Sequence, residues 1–189
     1  MPLDALNDVS DDALLVAFGN GDQDAARALT LRLAPRVLGF ATRMLNDRAE
    51  AEDVTQEAMM RLWKISGDWR QGEAKVTTWL YRVVSNLCTD RLRRRRSVSL
   101  DAIDEPLDET PGADERIFQA QRHNALEVAL QTLPDRQRQA VVMRHIDGLA
   151  NPDIAEILDI SVEAVESLTA RGKRALSEVL AGQREELGY

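Results

Sequence analysis

The segment Thr78–Arg96, TWLYRVVSNLCTDRLRRRR, constrains the fold most, because its apolar and basic residues recur with the period of an α-helix. On a helical wheel its apolar side consists of Leu80, Val83, Val84, Leu87 and Cys88. The opposite side consists of Arg82, Asn86, Thr89, Arg93 and Arg96. The pattern predicts an amphipathic helix that packs on a core through one side and presents a basic, amide-bearing side to solvent.

The chemistry of that outer side favours nucleic acid as the partner. Five of the last six residues of the segment are arginine, and Arg82 and Asn86 lie one turn apart. Arginine and asparagine side chains hydrogen-bond base edges, and clustered arginines bind phosphates. An isolated arginine run is more often a solvated helix end that the helix dipole stabilises. The interpretation therefore depends on the rest of the chain.

The charge of the chain is strongly segregated, although its formal total is −8. Residues 25–96 hold 15 basic and eight acidic side chains, whereas residues 1–24 hold six acidic and no basic ones. Residues 97–121 hold seven acidic side chains and one basic one. A basic body between acidic flanks is suited to phosphate binding, and the flanks are expected to weaken unaided DNA binding.

Composition predicts an all-α protein with no cofactor and no metal site. The 189 residues include six prolines, ten glycines and few aromatic residues, and β-branched alternation is scarce. The acidic N-terminus and the absence of a long apolar stretch predict a cytoplasmic chain that does not insert into a membrane. Cys88 is the only cysteine and is expected to be a buried thiol, while His123 and His145 have no companions at ligand spacing.

Three helices are predicted before the basic one. The first is capped by Ser10 and reaches Phe18, the second ends near Leu45, and the third covers residues 49–65. The third helix buries one stripe and displays an acceptor-rich patch, Glu52, Asp53, Gln56 and Glu57. This patch fits a basic protein surface, and acids in a first helical turn also complement the helix dipole.

The C-terminal half has the layout of a helix-turn-helix. We predict a helix over 135–146, a second helix that Asn151 caps and that has Pro152 at its first position, a turn at 159–161, and a final helix from Val162 to about Leu180. The residues expected to face the major groove are Glu163, Glu166, Ser167, Ala170, Arg171 and Arg174. The predicted organisation is an acidic N-terminal segment (1–24), a first helical domain (25–96), an acidic flexible linker (97–113), a second helical domain (114–182) and a tail (183–189).

In the order and separation of these segments the chain resembles the extracytoplasmic-function group of bacterial RNA polymerase sigma factors. The resemblance lies in AEDVTQEAMMRLWK (51–64), in the basic helix, and in LPDRQRQAVVMRHIDGLANPDIAEILDISVEAVESLTARGKRAL (133–176). It implies two small helical domains, sigma region 2 and sigma region 4. It also implies three partners, which are the polymerase core, promoter DNA in duplex and single-stranded form, and an anti-sigma factor.

The resemblance implies a role for each candidate residue. Glu52, Asp53, Gln56 and Glu57 match the segment that docks on the clamp of the largest polymerase subunit. The melted −10 element is assigned to Trp69, Arg70, Lys75, Trp79, Arg82, Asn86, Arg93 and Arg96. The duplex −35 element is assigned to the six outward residues of the last helix. From the residues alone, Trp69 is either a core anchor or a stacking platform for an unpaired base.

Three residues depart from the family pattern. Val76 stands where the family usually has Phe, which affects packing of the preceding loop. Asp159 replaces the glycine common in such turns, and Asp tolerates the left-handed conformation. Glu166 stands where the family is usually basic, and it either accepts from cytosine or is simply solvated.

Parts of the sequence also fit other classes of protein. A conventional repressor or activator would use the helix-turn-helix alone and would bind DNA as a dimer without polymerase. An enzyme is the more distant alternative, because the sequence has no glycine-rich phosphate loop and no plausible nucleophile set.

Overall fold

The structure is a computed structural model that describes residue 6 and residues 8–101 and 125–186. The regular elements in these ranges are all helical, which confirms the all-α prediction. The helices are α1 (Asp11–Gly19), α2 (Gln23–Leu45), α3 (Arg48–Ile65), a short 3-10 helix (Ser66–Asp68), α4 (Val76–Asp101), α5 (125–131 of the described residues), α6 (Asp135–Val141) with a π-helical continuation (Val142–Ile146), α7 (Asn151–Leu158) and α8 (Val162–Glu186). None of the helices in these ranges has the length and apolar character that crossing a membrane requires.

Helices α1 to α4 form the first domain around a shared apolar core. The apolar residues of α2 that recur at helical spacing are buried except for Ala26, which is half-buried; they are Ala26, Leu29, Leu33, Val37, Phe40, Ala41 and Met44. Phe40 of α2 meets Tyr81 of α4 edge to face, with 5.5 Å between ring centroids. Asp22 is the N-cap of α2, and its carboxylate accepts from the Ala25 amide at 3.2 Å, so the cap fixes where the helix begins.

Helix α4 places its apolar side in this core, as its sequence pattern predicts. Leu80, Val84 and Cys88 are fully buried, and burial raises the pKa of the Cys88 thiol to about 12. The helix continues to Asp101, beyond the expected end at Arg96. No proline directly follows the arginines to end the helix. The Ser97 hydroxyl donates to the Arg93 carbonyl at 3.0 Å within the extended helix. Residues 97–101 of the predicted linker are therefore helical, and its remainder lies outside the described residues.

Helices α5 to α8 form the second domain, and α7 and α8 are joined by the predicted turn. Asp159 adopts the left-handed conformation with φ 53°, and the Ser161 hydroxyl accepts from the Ala164 amide at 3.1 Å. On α8, Val165, Thr169 and Leu176 are buried. A Cβ at Gly172 would lie 2.5 Å from a methyl group of Val141, so the missing side chain lets α8 approach α6 closely.

Two details of the second domain differ from prediction. Ala150, and not Asn151, is the N-cap of α7, and its carbonyl accepts from the Ile154 amide at 3.0 Å. Pro152 therefore lies one position later in the helix than expected. It is tolerated there because amides of the first helical turn have no intrahelical acceptor, so the missing N–H of proline costs no hydrogen bond. The helix predicted at 135–146 is also not uniform, because it changes from α to π at Val142.

Candidate polymerase and nucleic-acid interfaces

The acceptor-rich patch of α3 is a solvent-accessible face beside the domain core. We call it the acidic face, and it consists of Glu52, Asp53, Gln56 and Glu57. Side-chain exposure is 55% for Glu52, 69% for Asp53 and 44% for Glu57. Glu52 pairs with Arg48 at 2.7 Å and Glu57 with Arg61 at 2.5 Å, each one turn away on the same helix. Exposed pairs of this kind contribute only about 0–1 kcal/mol, so a basic protein surface can replace them.

An exposed methionine adjoins the acidic face and was not predicted. Met60 is 54% exposed and lies one helical turn after Gln56. The sequence does contain a signal for Met60, because it is an apolar residue that falls outside the buried stripe of α3. Met60 gives the acidic face an apolar edge, and flexible methionine side chains pack well against varied surfaces.

The arginine run at the end of α4 divides into inward and outward residues. Arg95 is half-buried, donates to the Leu45 carbonyl at 2.7 Å and pairs with Glu50 at 2.6 Å. It therefore holds α4 against the end of α2. Arg93 is 76% exposed and Arg96 is 63% exposed. With exposed Arg82 and Asn86 they form what we call the reading face of α4.

The loop before α4 is held from outside by α1. We call residues 66–76 the reading loop. Trp69 is half-buried, packs edge to face on Trp79 with 6.4 Å between centroids, and donates from Nε1 to Asp12 at 3.3 Å. The Val76 amide donates to the same carboxylate oxygen at 3.1 Å. These contacts are those of an anchor, and Val76 is buried despite replacing the larger residue that the family usually has.

Replacing Asp12 with alanine is expected to loosen the reading loop. The substitution removes one acceptor from two donors, each hydrogen bond being worth about 0.5–1.5 kcal/mol. Hydrogen exchange of the Val76 amide should quicken and tryptophan emission should shift to the red as Trp69 is hydrated. Asp12→Asn keeps an acceptor oxygen and should resemble the wild type. Equal exchange rates in all three proteins would contradict this anchoring role.

The six predicted groove residues share the outer side of α8. Glu163, Glu166, Ser167, Ala170, Arg171 and Arg174 are all exposed. Because the opposite side of α8 packs on the second domain, this surface is available to a DNA groove. In the described residues, no group of three or more His, Cys, Asp or Glu side chains is placed to hold a metal ion.

The two domains contact each other next to the reading face. Lys75 pairs with Asp153 of α7 at 2.8 Å, and Arg96 pairs with Asp135 of α6. Gln139 of α6 is buried and donates from Nε2 to the hydroxyls of both Ser85 and Thr89 at 3.1 Å. Residues far apart in the sequence make these contacts, so no periodicity predicts them.

A half-buried carboxylate lies in the same interface. Asp147 follows the π-helical turn and faces Tyr81 of α4 and Arg36 and Arg43 of α2. In the described residues, neither Asp147 Oδ2 nor the Tyr81 hydroxyl has a hydrogen-bond partner of good geometry. Burial raises the pKa of Asp147 to about 6, against the opposing effects of Tyr81, Arg43 and Arg36.

Asp147→Asn is expected to stabilise the protein at pH 7.5 and to change little at pH 3. Because the pKa in the folded state is raised above its usual value of 3.8, protonation of Asp147 favours folding; that contribution is fully present below pH 3.8 and is lost as the pH rises to about 6. The gain at pH 7.5 should be roughly 1–2 kcal/mol, because one pKa unit corresponds to about 1.4 kcal/mol and partial exposure screens the charge. Denaturant unfolding at both pH values measures it, and a difference independent of pH would refute it.

Fold and surfaces together define a class of protein. One helical domain presents an acidic face on α3 and a basic, amide-bearing face on α4, and a second domain carries a helix-turn-helix. This is the construction of a promoter-recognition subunit of bacterial RNA polymerase.

Comparison with known proteins identifies the family. Residues 29–98 match Sigma-70 region 2, and residues 123–176 match Sigma-70, region 4. The ECF RNA polymerase sigma factor SigM of Mycobacterium tuberculosis is 32% identical over 171 residues, which cover 90% of this chain and 85% of the relative. The ECF RNA polymerase sigma factor SigE of Mycolicibacterium smegmatis is 34% identical over 173 residues, covering 88% of this chain and 66% of that relative. The chain belongs to the extracytoplasmic-function family of RNA polymerase sigma factors, and it is a transcription initiation factor.

A solved structure has the same fold. The sigma factor RpoE of Bartonella quintana, crystallised with the anti-sigma factor NepR, aligns with a TM-score of 0.67 at 22% identity. The alignment covers 82% of this chain and 96% of that chain. At this identity the likeness supports the all-helical fold and leaves residue roles to be argued from this chain.

Proposed function

We propose that this sigma factor makes three contacts during initiation. The acidic face of α3 docks on the clamp of the largest polymerase subunit. The reading loop and the reading face of α4 capture and read the melted −10 element. The outward residues of α8 read the duplex −35 element. The protein supplies specificity and positioning, acts in the cytoplasm with the polymerase, and catalyses no reaction itself.

One observation carries this proposal. A single four-helix domain presents the acidic face on α3 and the exposed Arg82 and Asn86 on α4, while the other sides of both helices share one core. A body built this way docks on a basic protein surface and holds a base-reading surface at a fixed position beside it. A regulator that acts without polymerase has no use for the acidic face, so the repressor or activator alternative is disfavoured.

The core-dependence of transcription tests the proposal. Purified protein is mixed with core polymerase and random-sequence DNA, and the templates of the transcripts are sequenced. We expect transcripts that require both proteins and whose templates share two elements at fixed spacing. A chain with reversed charge at Asp53 and Glu57 serves as the matched negative control. If the wild type yields no core-dependent transcript, the proposed function is wrong.

Control by an anti-sigma factor is the second part of the proposal. The docking and reading surfaces are exposed helix faces that a partner can cover. The structurally similar RpoE is itself known in complex with an anti-sigma factor. We expect the partner of this chain to mask the acidic face, the reading helix, or both.

Competition tests this masking. A partner found by co-purification is titrated against the free protein and against the protein already bound to core polymerase. Occlusion predicts much weaker binding to the polymerase-bound form. Equal affinity for both forms would show that control lies elsewhere, in synthesis or degradation.

A further inference from the structure

At the interface between the domains, two basic residues that the proposed function assigns to nucleic acid are paired with carboxylates of the second domain. Lys75 and Arg96 belong to the set assigned to the melted −10 element, and each is paired with a carboxylate of the second domain. Asp153 is the partner of Lys75, and Asp135 is the partner of Arg96. A carboxylate satisfies lysine and arginine in the same way as a phosphate oxygen does. The second domain therefore places carboxylates where a strand would place phosphates.

The contact with Gln139 is also polar on the α4 side, where Ser85 is buried and Thr89 is exposed. Ser85 is 3% exposed, and its hydroxyl accepts from the Gln139 amide nitrogen, as does the Thr89 hydroxyl. Ser85 and Thr89 lie one turn apart on α4 and flank Asn86 of the reading face. Hydroxyl groups on a helix that faces nucleic acid contact phosphate and sugar oxygens. An apolar pair would pack better against another domain if packing were the only task of this surface.

Asn86 is exposed and borders a cleft between the domains. The walls of the cleft are Arg82, Ser85, Asn86 and Thr89 on the α4 side and Arg136, Gln139 and residues 157–159 on the other side. A nucleotide strand that reaches Ser85 has to displace the far wall, because Ser85 is buried against Gln139. Binding of a strand to Ser85 and the observed packing of the second domain therefore compete for the same space.

We propose that the surface formed by Lys75, directly before α4, and by Ser85, Thr89 and Arg96 of α4 contacts the single-stranded promoter backbone, and that the second domain occupies this surface in the free protein. The inference rests on the proposed function and adds Ser85 and Thr89 to the nucleic-acid surface. It assigns Asp153, Asp135 and Gln139 to the contact that excludes DNA until the domains separate. The ion pairs at the edge are exposed on the basic side, so they exchange readily for phosphates.

The test compares three full-length proteins. The release variant carries Asp153→Asn and Gln139→Ala, which removes one edge carboxylate and the buried amide while leaving Asp135 with buried Arg138. Glu178→Gln is the control, because it makes the same change in net charge at an exposed position of α8. Each protein is titrated with a fluorescent random-sequence single-stranded DNA of 20 nucleotides, and the radius of gyration is measured by small-angle X-ray scattering.

The expected result is an expanded release variant that binds the DNA at least tenfold more tightly than both the wild type and the control. Adding Ser85→Ala and Thr89→Ala to the release variant should reverse most of that gain without restoring the compact form. Equal DNA affinity of the release variant and the control would overturn the proposal, whether or not the release variant expands. So would a gain that persists after both hydroxyls are removed, because the surface would then lie elsewhere.

The single-strand binding test and the test of the proposed function can fail independently of each other. Core-dependent transcription by the wild type tests the proposed function and does not require the free protein to be closed. A wild type that directs transcription, with a release variant that gains no DNA affinity, refutes only the covering of this surface. A wild type that never directs transcription refutes the proposed function, even if the release variant binds single strands.

Discussion

Replacing Asp53 and Glu57 with lysine is expected to abolish binding to core polymerase and to leave the fold intact. Both side chains project from α3 away from the core, with 69% and 44% of their surface exposed. Their intramolecular contacts are weak, since Asp53 lies 4.0 Å from Arg91 and Glu57 pairs with Arg61 on the same helix. Surface changes of this kind usually alter stability by under about 0.5 kcal/mol. Reversing two charges that face a basic partner replaces attraction with repulsion and costs several kcal/mol at an interface.

A pull-down with purified core polymerase measures this effect, and circular dichroism with thermal unfolding checks the fold. The matched control reverses two other exposed acids, Asp8 and Glu178, so that the change in net charge is identical. The control protein should bind core polymerase as the wild type does. Retention of core binding by the Asp53 and Glu57 variant would exclude the acidic face as the docking site.

Helical periodicity correctly predicted which sides of the helices are buried and which are exposed. The apolar stripes of α2, α4 and α8 are buried or half-buried, and the six groove residues of α8 are exposed. These features follow from the spacing of apolar residues along one helix, and this spacing is local information. The turn at Asp159 and its Ser161 cap are equally local, because both depend on the conformational preferences of single residues.

Features that depend on long-range contacts were not predictable in this way. Nothing in the spacing of the arginines indicates that Arg95 caps α2 while Arg93 faces solvent, since this depends on where the Leu45 carbonyl and Glu50 come to lie. The same is true of Asp12, which reaches across 57 residues of sequence to Trp69. Helix ends were misplaced where the signal was weak, as at Asp101, where no breaker follows the arginines directly.

The packing of the two domains is the largest feature that the sequence did not indicate. A flexible acidic linker leaves the relative placement of the two domains open, whereas in the structure Gln139, Arg138 and Asp153 of the second domain all bond to groups of the first. Arg138 is 5% exposed and donates to the Met44 carbonyl at 3.1 Å. A buried guanidinium that donates to a carbonyl of another domain gives that contact a defined geometry.

Asn86→Ala and Arg93→Ala are expected to impair promoter binding in different ways, because one side chain reads bases and the other holds phosphate. Loss of the Asn86 amide removes roughly 1–3 kcal/mol of discrimination at one base of the −10 element. Loss of Arg93, whose side chain is 76% exposed, should weaken binding to all sequences alike. Its release of fewer counterions should also reduce the slope of affinity against salt concentration by about one.

Both variants are measured as complexes with core polymerase, because the bound protein is the form that meets the promoter. Affinity is determined for a set of promoter fragments with single-base changes in the −10 element, at several salt concentrations. Asn86→Ala should compress the differences between fragments and keep the salt slope of the wild type. Arg93→Ala should keep the differences between fragments and lower the slope. An Arg93→Ala protein with altered base preference and an unchanged slope would reverse the two assignments, so that the arginine would be the reader and the amide a positioning contact.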